Sequence, residues 1–192
     1  ALGMDALGVT IVGTITAMGG GTVRDVLIGN APVFWMKETE YLILSAGTSM
    51  ASFFAFEMSG IEEDGPLMQW TDALGVGAFA CIGAQNGIRK GLPFLVCCAL
   101  GMLAATFGGL TRDVLCSQPI RIFYSHAELY ATCAFSGAFM YMSIRELGLP
   151  VPFRIVLGAG TAMTLRYLSW THDLKLPTRI PDSGKTRPED KK

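Results

Sequence analysis

Along this chain, long stretches without a single charge alternate with short polar breaks. Five such stretches run from Ala6 to Val23, Tyr41 to Phe56, Ala73 to Ile88, Gly91 to Thr111 and Leu129 to Ile144. A sixth, Val151 to Trp170, carries only Arg154 and Arg166, towards its two ends. A membrane-crossing helix needs about 20 mainly apolar residues, within a range of about 17–25. Each stretch reaches that length once flanking uncharged or snorkelling residues are counted. A soluble bundle would need a polar face on each helix, and these stretches have none. The pattern predicts an all-α, polytopic membrane helix bundle of six helices.

The breaks read as loops at the membrane surface. Asn30 to Trp35 contains Phe34 and Trp35, ring systems suited to the headgroup zone. Glu57 to Pro66 is acidic, and Asn86 to Gly91 is short enough to join an antiparallel helix pair. Gln118-Pro119 with Arg121, Phe123 and Tyr124 forms a further connection, and Leu147 to Pro150 the last. Lys37, Arg89, Lys90 and Arg145 fall on one side, against Arg121 and a basic tail on the other. Counting the tail favours a cytoplasmic C-terminus.

Composition sharpens the membrane reading. Of 192 residues, 51% are hydrophobic and 16% charged, against about 25% charged in ordinary soluble domains. Much of the remaining charge sits beyond Trp170, in a Pro-containing tail whose composition predicts disorder. A net charge of −1 gives no argument for a nucleic-acid partner. Five cysteines lie in or beside apolar stretches without C-x-x-C spacing, so they read as small buried hydrophobes. Neither His126 nor His172 has a partner at metal-ligand spacing, and no catalytic triad or paired carboxylates stand out. The sequence therefore suggests no enzyme, no metal site and no cofactor. It opens at Ala1 without a basic n-region or signal peptide, as though part-way through a longer protein.

One pattern breaks the apolar texture twice. Gly19-Gly20-Gly21-Thr22-Val23-Arg24-Asp25-Val26-Leu27 is echoed by Gly108-Gly109-Leu110-Thr111-Arg112-Asp113-Val114-Leu115, at an offset of 88 residues. Upstream, Gly13 and Ala17 match Gly101 and Ala105. Each copy thus carries a small-residue row at four-residue spacing, Gly13-Ala17-Gly21 and Gly101-Ala105-Gly109, suited to close helix packing. The copies fall three helices apart, on helices that cross in opposite directions. That predicts an inverted-topology repeat, in which sites form near the midplane from discontinuous helices. Each glycine costs a helix about 1 kcal/mol relative to alanine, and broken backbone at depth is tolerated only around a cavity. Adjacent residues do not share a helix face, so Arg24 is expected to pair with Asp113, and Arg112 with Asp25. The plainer alternative is that each motif ends its helix, the arginine snorkelling and the aspartate capping a loop. Asp5-Ala-Leu-Gly and Asp72-Ala-Leu-Gly read as helix starts with an aspartate cap.

These residues resemble the trimeric intracellular cation (TRIC) channels and their prokaryotic relatives, also described as glycine-transporter-domain proteins. The likeness lies in the two Gly-rich Arg-Asp motifs, in Pro32-Val33-Phe34-Trp35 and in Asp72-Ala-Leu-Gly. It implies a seven-helix protomer, made of two inverted three-helix repeats plus a final helix. It also implies homotrimers in which each protomer has its own monovalent-cation pore between glycine-kinked helices. The kinks would be Gly19, Gly20 and Gly21, and Gly108 and Gly109, with Arg24, Asp25, Arg112 and Asp113 beside the path. On this map residues 1–66 form a first repeat lacking its first helix, and 67–145 the second. Residues 146–171 form the last helix and 172–192 the tail. Phe107 stands where a third glycine of the second motif would be. The expected function is a multi-pass channel for monovalent cations, potassium foremost, in the plasma membrane if prokaryotic. The alternative is a secondary transporter of glycine or another small zwitterion.

Overall fold

The computed structural model describes residues 3–59, 65–120 and 129–172. Within them the chain forms six long helices and one short one: α1 (Ala6–Leu27), α2 (Phe34–Lys37), α3 (Glu40–Ser59), α4 (Pro66–Arg89), α5 (Phe94–Leu115), α6 (Ala131–Glu146) and α7 (Val151–Thr171). The six expected long helices are therefore present. The connection at Arg121, Phe123 and Tyr124, and the tail expected to be disordered, lie outside the described residues.

Local chemistry sets the helix ends. Asp5 caps α1, its Oδ1 accepting the Gly8 N–H at 2.7 Å. Asp72 does not cap α4: that helix starts at Gly65 with Pro66 in its first turn, so Asp72 lies well inside it. Four helices end in the same way. Gly29, Ser117, Gly91 and Gly148 take positive φ after α1, α5, α4 and α6. In each case the N–H of the following residue reaches back five residues to a carbonyl, as from Asn30 to Asp25 and from Gln118 to Asp113, both 2.8 Å. Pro93 and Pro150 then start the next helices of two tight hairpins, α4–α5 and α6–α7.

α5 is the central element, packed against α1 on one side and α4 and α6 on the other, while α7 closes over α4 and α6. The core between α4, α5 and α6 is built of small residues around Tyr141 and Met142: Ala80, Cys81, Ala84, Cys97, Cys98 and Ala138. Among the described residues, α1 and α5 are long and apolar enough to cross a membrane by length and composition. Their buried and half-buried threonines bond within the helix. Thr14, Thr16, Thr106 and Thr111 each donate to the carbonyl four residues back, which suits hydroxyls to a lipid setting.

The glycine motifs correct one expectation. Neither α1 nor α5 is broken at its glycines; each helix runs unbroken through them to Leu27 and Leu115. The glycines instead let the two helices touch backbone to backbone. A methyl at Gly20 would overlap the Ala104 carbonyl oxygen, and one at Gly108 the Thr16 carbonyl oxygen. These contacts exchange under the 88-residue offset, as do the bounds of α1 and α5. Gly19 also faces Gly108, its added Cβ lying 3.3 Å from the Gly108 Cα. The small-residue rows do not form one shared seam. Gly13 faces Ser49 of α3 and Gly21 faces the Phe34 ring, while Gly101 faces Ala138 and Ala80. Ala17 is exposed and Ala105 half-buried.

Candidate functional site

The last turns of α1 and α5 present the two Arg-Asp pairs. Arg24 donates from Nε and Nη2 to Asp25 Oδ1 at 2.9 and 2.8 Å. Arg112 does the same to Asp113 Oδ1 at 3.0 and 2.8 Å. The expected crossed pairs, Arg24 with Asp113 and Arg112 with Asp25, do not form. Each arginine turns to its own neighbour. The 100° between adjacent residues separates their Cβ directions, but the long arginine side chain sweeps across that angle beside the helix end.

The two pairs differ in exposure. Asp25 Oδ2 accepts the Phe34 N–H at 2.8 Å, and the Phe34 ring lies over the Arg24 guanidinium at 5.7 Å. Trp35 Nε1 donates to Thr22 Oγ1 at 3.0 Å. Phe34 and Trp35 thus turn inward as a lid on the first motif, where a headgroup anchor was expected. The lid seals the pair: the Arg24 and Asp25 side chains are 7% and 1% exposed. The second pair is open on its arginine side, with Arg112 at 37% and Asp113 at 6%.

That opening is a cavity of about 40 Å³ lined by Asp72, Thr106, Gly109, Leu110, Arg112, Asp113 and Tyr130. Behind its wall Arg166 of α7 donates to Asp72 Oδ2 at 2.7 Å, and the Tyr130 hydroxyl donates to Oδ1 at 3.2 Å. The Arg166 guanidinium carbon stands 4.8 Å from the Tyr130 ring centroid and 5.1 Å from that of Trp170. Three charged groups from α4 and α5 therefore line one small space, with the Arg166 guanidinium of α7 behind Asp72. Among the described residues no cluster has the makings of a metal site.

Of the nine residues expected along a path, the cavity takes Gly109, Arg112 and Asp113. Gly19, Gly20 and Gly108 form the helix crossing, and Gly21, Arg24 and Asp25 lie under the Phe34 lid. Sequence reasoning missed Asp72, Tyr130 and Arg166. The signal was present for two of them, because an ionisable residue inside an otherwise apolar helix marks function or a buried partner.

Comparison with known proteins agrees with this architecture. The family model described as Glycine transporter matches residues 1–57 and 69–146. The UPF0126 inner membrane protein YadS of Escherichia coli K12 is 30% identical over 188 residues, covering 95% of this chain and 87% of that protein. A UPF0126 membrane protein of Deinococcus radiodurans is 31% identical over 179 residues, covering 91% and 80%. Among solved structures, the TRIC trimeric intracellular cation channel orthologue from Rhodobacter sphaeroides superposes with a TM-score of 0.81 at 31% identity, covering 89% of this chain and 86% of that one. A structure described for conductance through TRIC cation channels gives 0.84 at 29% identity, covering 95% and 88%.

Proposed function

The chain belongs to the glycine-transporter-domain family that includes the TRIC channels, as an integral, multi-pass membrane protein, and from that premise we propose that it is a channel passing monovalent cations, potassium foremost. The observation that carries this reading is the cavity at the end of α5, walled by Asp72, Asp113 and Arg112 and roofed by Tyr130. Charged side chains inside a membrane bundle are costly and sit where ions or water pass. The relatives with solved structures are described as cation channels.

We further read the two motifs as halves of an inverted-topology repeat. The equal bounds of α1 and α5 at an offset of 88 support this, as do the exchanged Gly20–Ala104 and Gly108–Thr16 contacts. On this reading Gly109, Arg112 and Asp113 of the second half line the path, while Arg24 and Asp25 hold the first half together. Assembly as a homotrimer follows the Rhodobacter sphaeroides relative, whose description names a trimer.

A second reading has its own observation. A guanidinium and two carboxylates around one small space also match the carboxylate and ammonium of a zwitterion such as glycine. Flux into liposomes carrying the full chain separates the two. Potassium current that needs no substrate supports the channel. Saturable glycine uptake driven by an ion gradient, without potassium current, replaces it with the transporter.

A further inference from the structure

Asp72 and Arg166 belong to neither glycine motif, yet they hold the charge balance of the cavity. Asp72 lines it and its side chain is 39% exposed, whereas Arg166 is 4% exposed and stands outside the lining. Among the described residues the lining carries two carboxylates, Asp72 and Asp113, and one guanidinium, Arg112. Arg166, at 2.7 Å, offsets the charge of the Asp72 carboxylate.

The two partners are held unequally. Arg166 has aromatic faces on two sides, Tyr130 and Trp170, contacts that it makes separately from its bond to Asp72. Trp170 is itself braced by Trp70, with ring centroids 6.0 Å apart, and Trp70 stacks on Tyr167 at 5.5 Å. Asp72 sits at the cavity edge on an interior turn of α4, held by one arginine nitrogen and the Tyr130 hydroxyl. If the pair parts, the cation remains caged and the carboxylate is the group that turns into the open space. An Asp72 carboxylate freed in this way then faces a small polar space of about 40 Å³, a setting that suits a monovalent cation and repels anions.

We propose that Asp72 is the carboxylate that receives the monovalent cation in this cavity, and that Arg166 is a tethered cation that occupies the same carboxylate in the closed form. Opening is then an exchange, with the guanidinium giving up Asp72 to the permeating ion while Tyr130 and Trp170 retain it. The inference rests on the channel reading above and adds to it a named cation site and a closing group.

The test uses the full chain in liposomes, with potassium and chloride fluxes measured separately. A second readout is the Tm of the detergent-purified protein in potassium chloride against N-methyl-D-glucamine chloride. R166Q is expected to raise potassium flux about tenfold or more, the gain when a minor state of about 10% becomes dominant. D72N keeps the shape and the Tyr130 contact, and is expected to lower potassium flux and the preference for potassium over chloride. It should also abolish the potassium-dependent rise in Tm. Opposite effects from the two halves of one ion pair are the signature of a tethered competitor. A purely structural clasp lowers flux and Tm in both variants, and that result overturns the proposal. R166K guards against misfolding of R166Q: it keeps the charge but loses the planar fork, and is expected to lie between wild type and R166Q in flux. R166K flux at or below wild type, with a normal Tm, also overturns it. Should wild type pass no cation yet gain Tm in potassium through Asp72, the channel reading falls and the site stands. No potassium effect on the wild-type Tm removes the site.

Discussion

Ser117 closes α5 at φ 52, where Gly29 closes α1 at φ 64, and a side chain at that backbone angle is strained. Replacing Ser117 with Gly is expected to raise stability by up to about 1 kcal/mol, the αL penalty less the greater freedom of glycine when unfolded, read as a higher Tm in detergent. The two aspartates should separate more sharply. D25N leaves the buried Arg24 guanidinium facing an amide under the Phe34 lid, at a cost of about 3–5 kcal/mol for breaking a buried pair. D113N should cost less, because the half-open Arg112 can turn towards water. Equal losses in the two variants would count against the sealed and open assignment. The residues of both motifs were legible in the sequence, but their partners were not. The angle between adjacent positions points to crossed pairing, and the reach of arginine overrides that angle. The Phe34 lid was invisible for a related reason: an aromatic beside a helix end looks the same whether it faces lipid headgroups or turns inward.

The helices were legible as elements because apolar stretches without charge had only one use at that length. Their ends were displaced for a physical reason. The uncharged stretches stop where charge begins, at Arg24 or Arg112, whereas the helices stop three residues further on, at Leu27 and Leu115 before a positive-φ residue. α4 likewise begins at Pro66, so Asp72 became an interior residue of the cavity wall and lost its expected role as a cap. Three glycines in a row disfavour a helix, but at the α1–α5 crossing tertiary contact outweighs propensity. This contrast predicts the effect of added methyls. G20A meets the Ala104 carbonyl oxygen, a backbone group that cannot swing aside. The overlap is expected to cost about 1–3 kcal/mol, against a helix-propensity gain of about 1 kcal/mol. G109A meets nothing nearer than Arg112 Nη2 at 3.7 Å, so it should keep the propensity gain and raise the Tm. A G109A protein less stable than G20A would contradict the crossing as described.

The molecule turns much of its apolar surface outward while keeping its thiols inside. Leu42, Ile43, Leu44 and Phe54 of α3, and Phe153, Ile155, Val156 and Leu157 of α7, are all exposed. In water these apolar side chains would be costly to expose. In a bilayer, or against another protomer, it is the expected outer face. Against this, Cys81, Cys97, Cys98 and Cys133 are buried, and Cys116 alone among the five cysteines is partly accessible, at the end of α5 beside the Arg112–Asp113 pair. A membrane-impermeant maleimide added to protein in mild detergent should therefore modify one thiol per chain rapidly, at Cys116, and all five after denaturation. The C116S variant should show no rapid labelling. Fast reaction at Cys97 or Cys98 would mean that the α4–α5–α6 core is open to water. The cavity would then lie within a broad aqueous cleft, and the charge at Asp72 could no longer act on a single ion there.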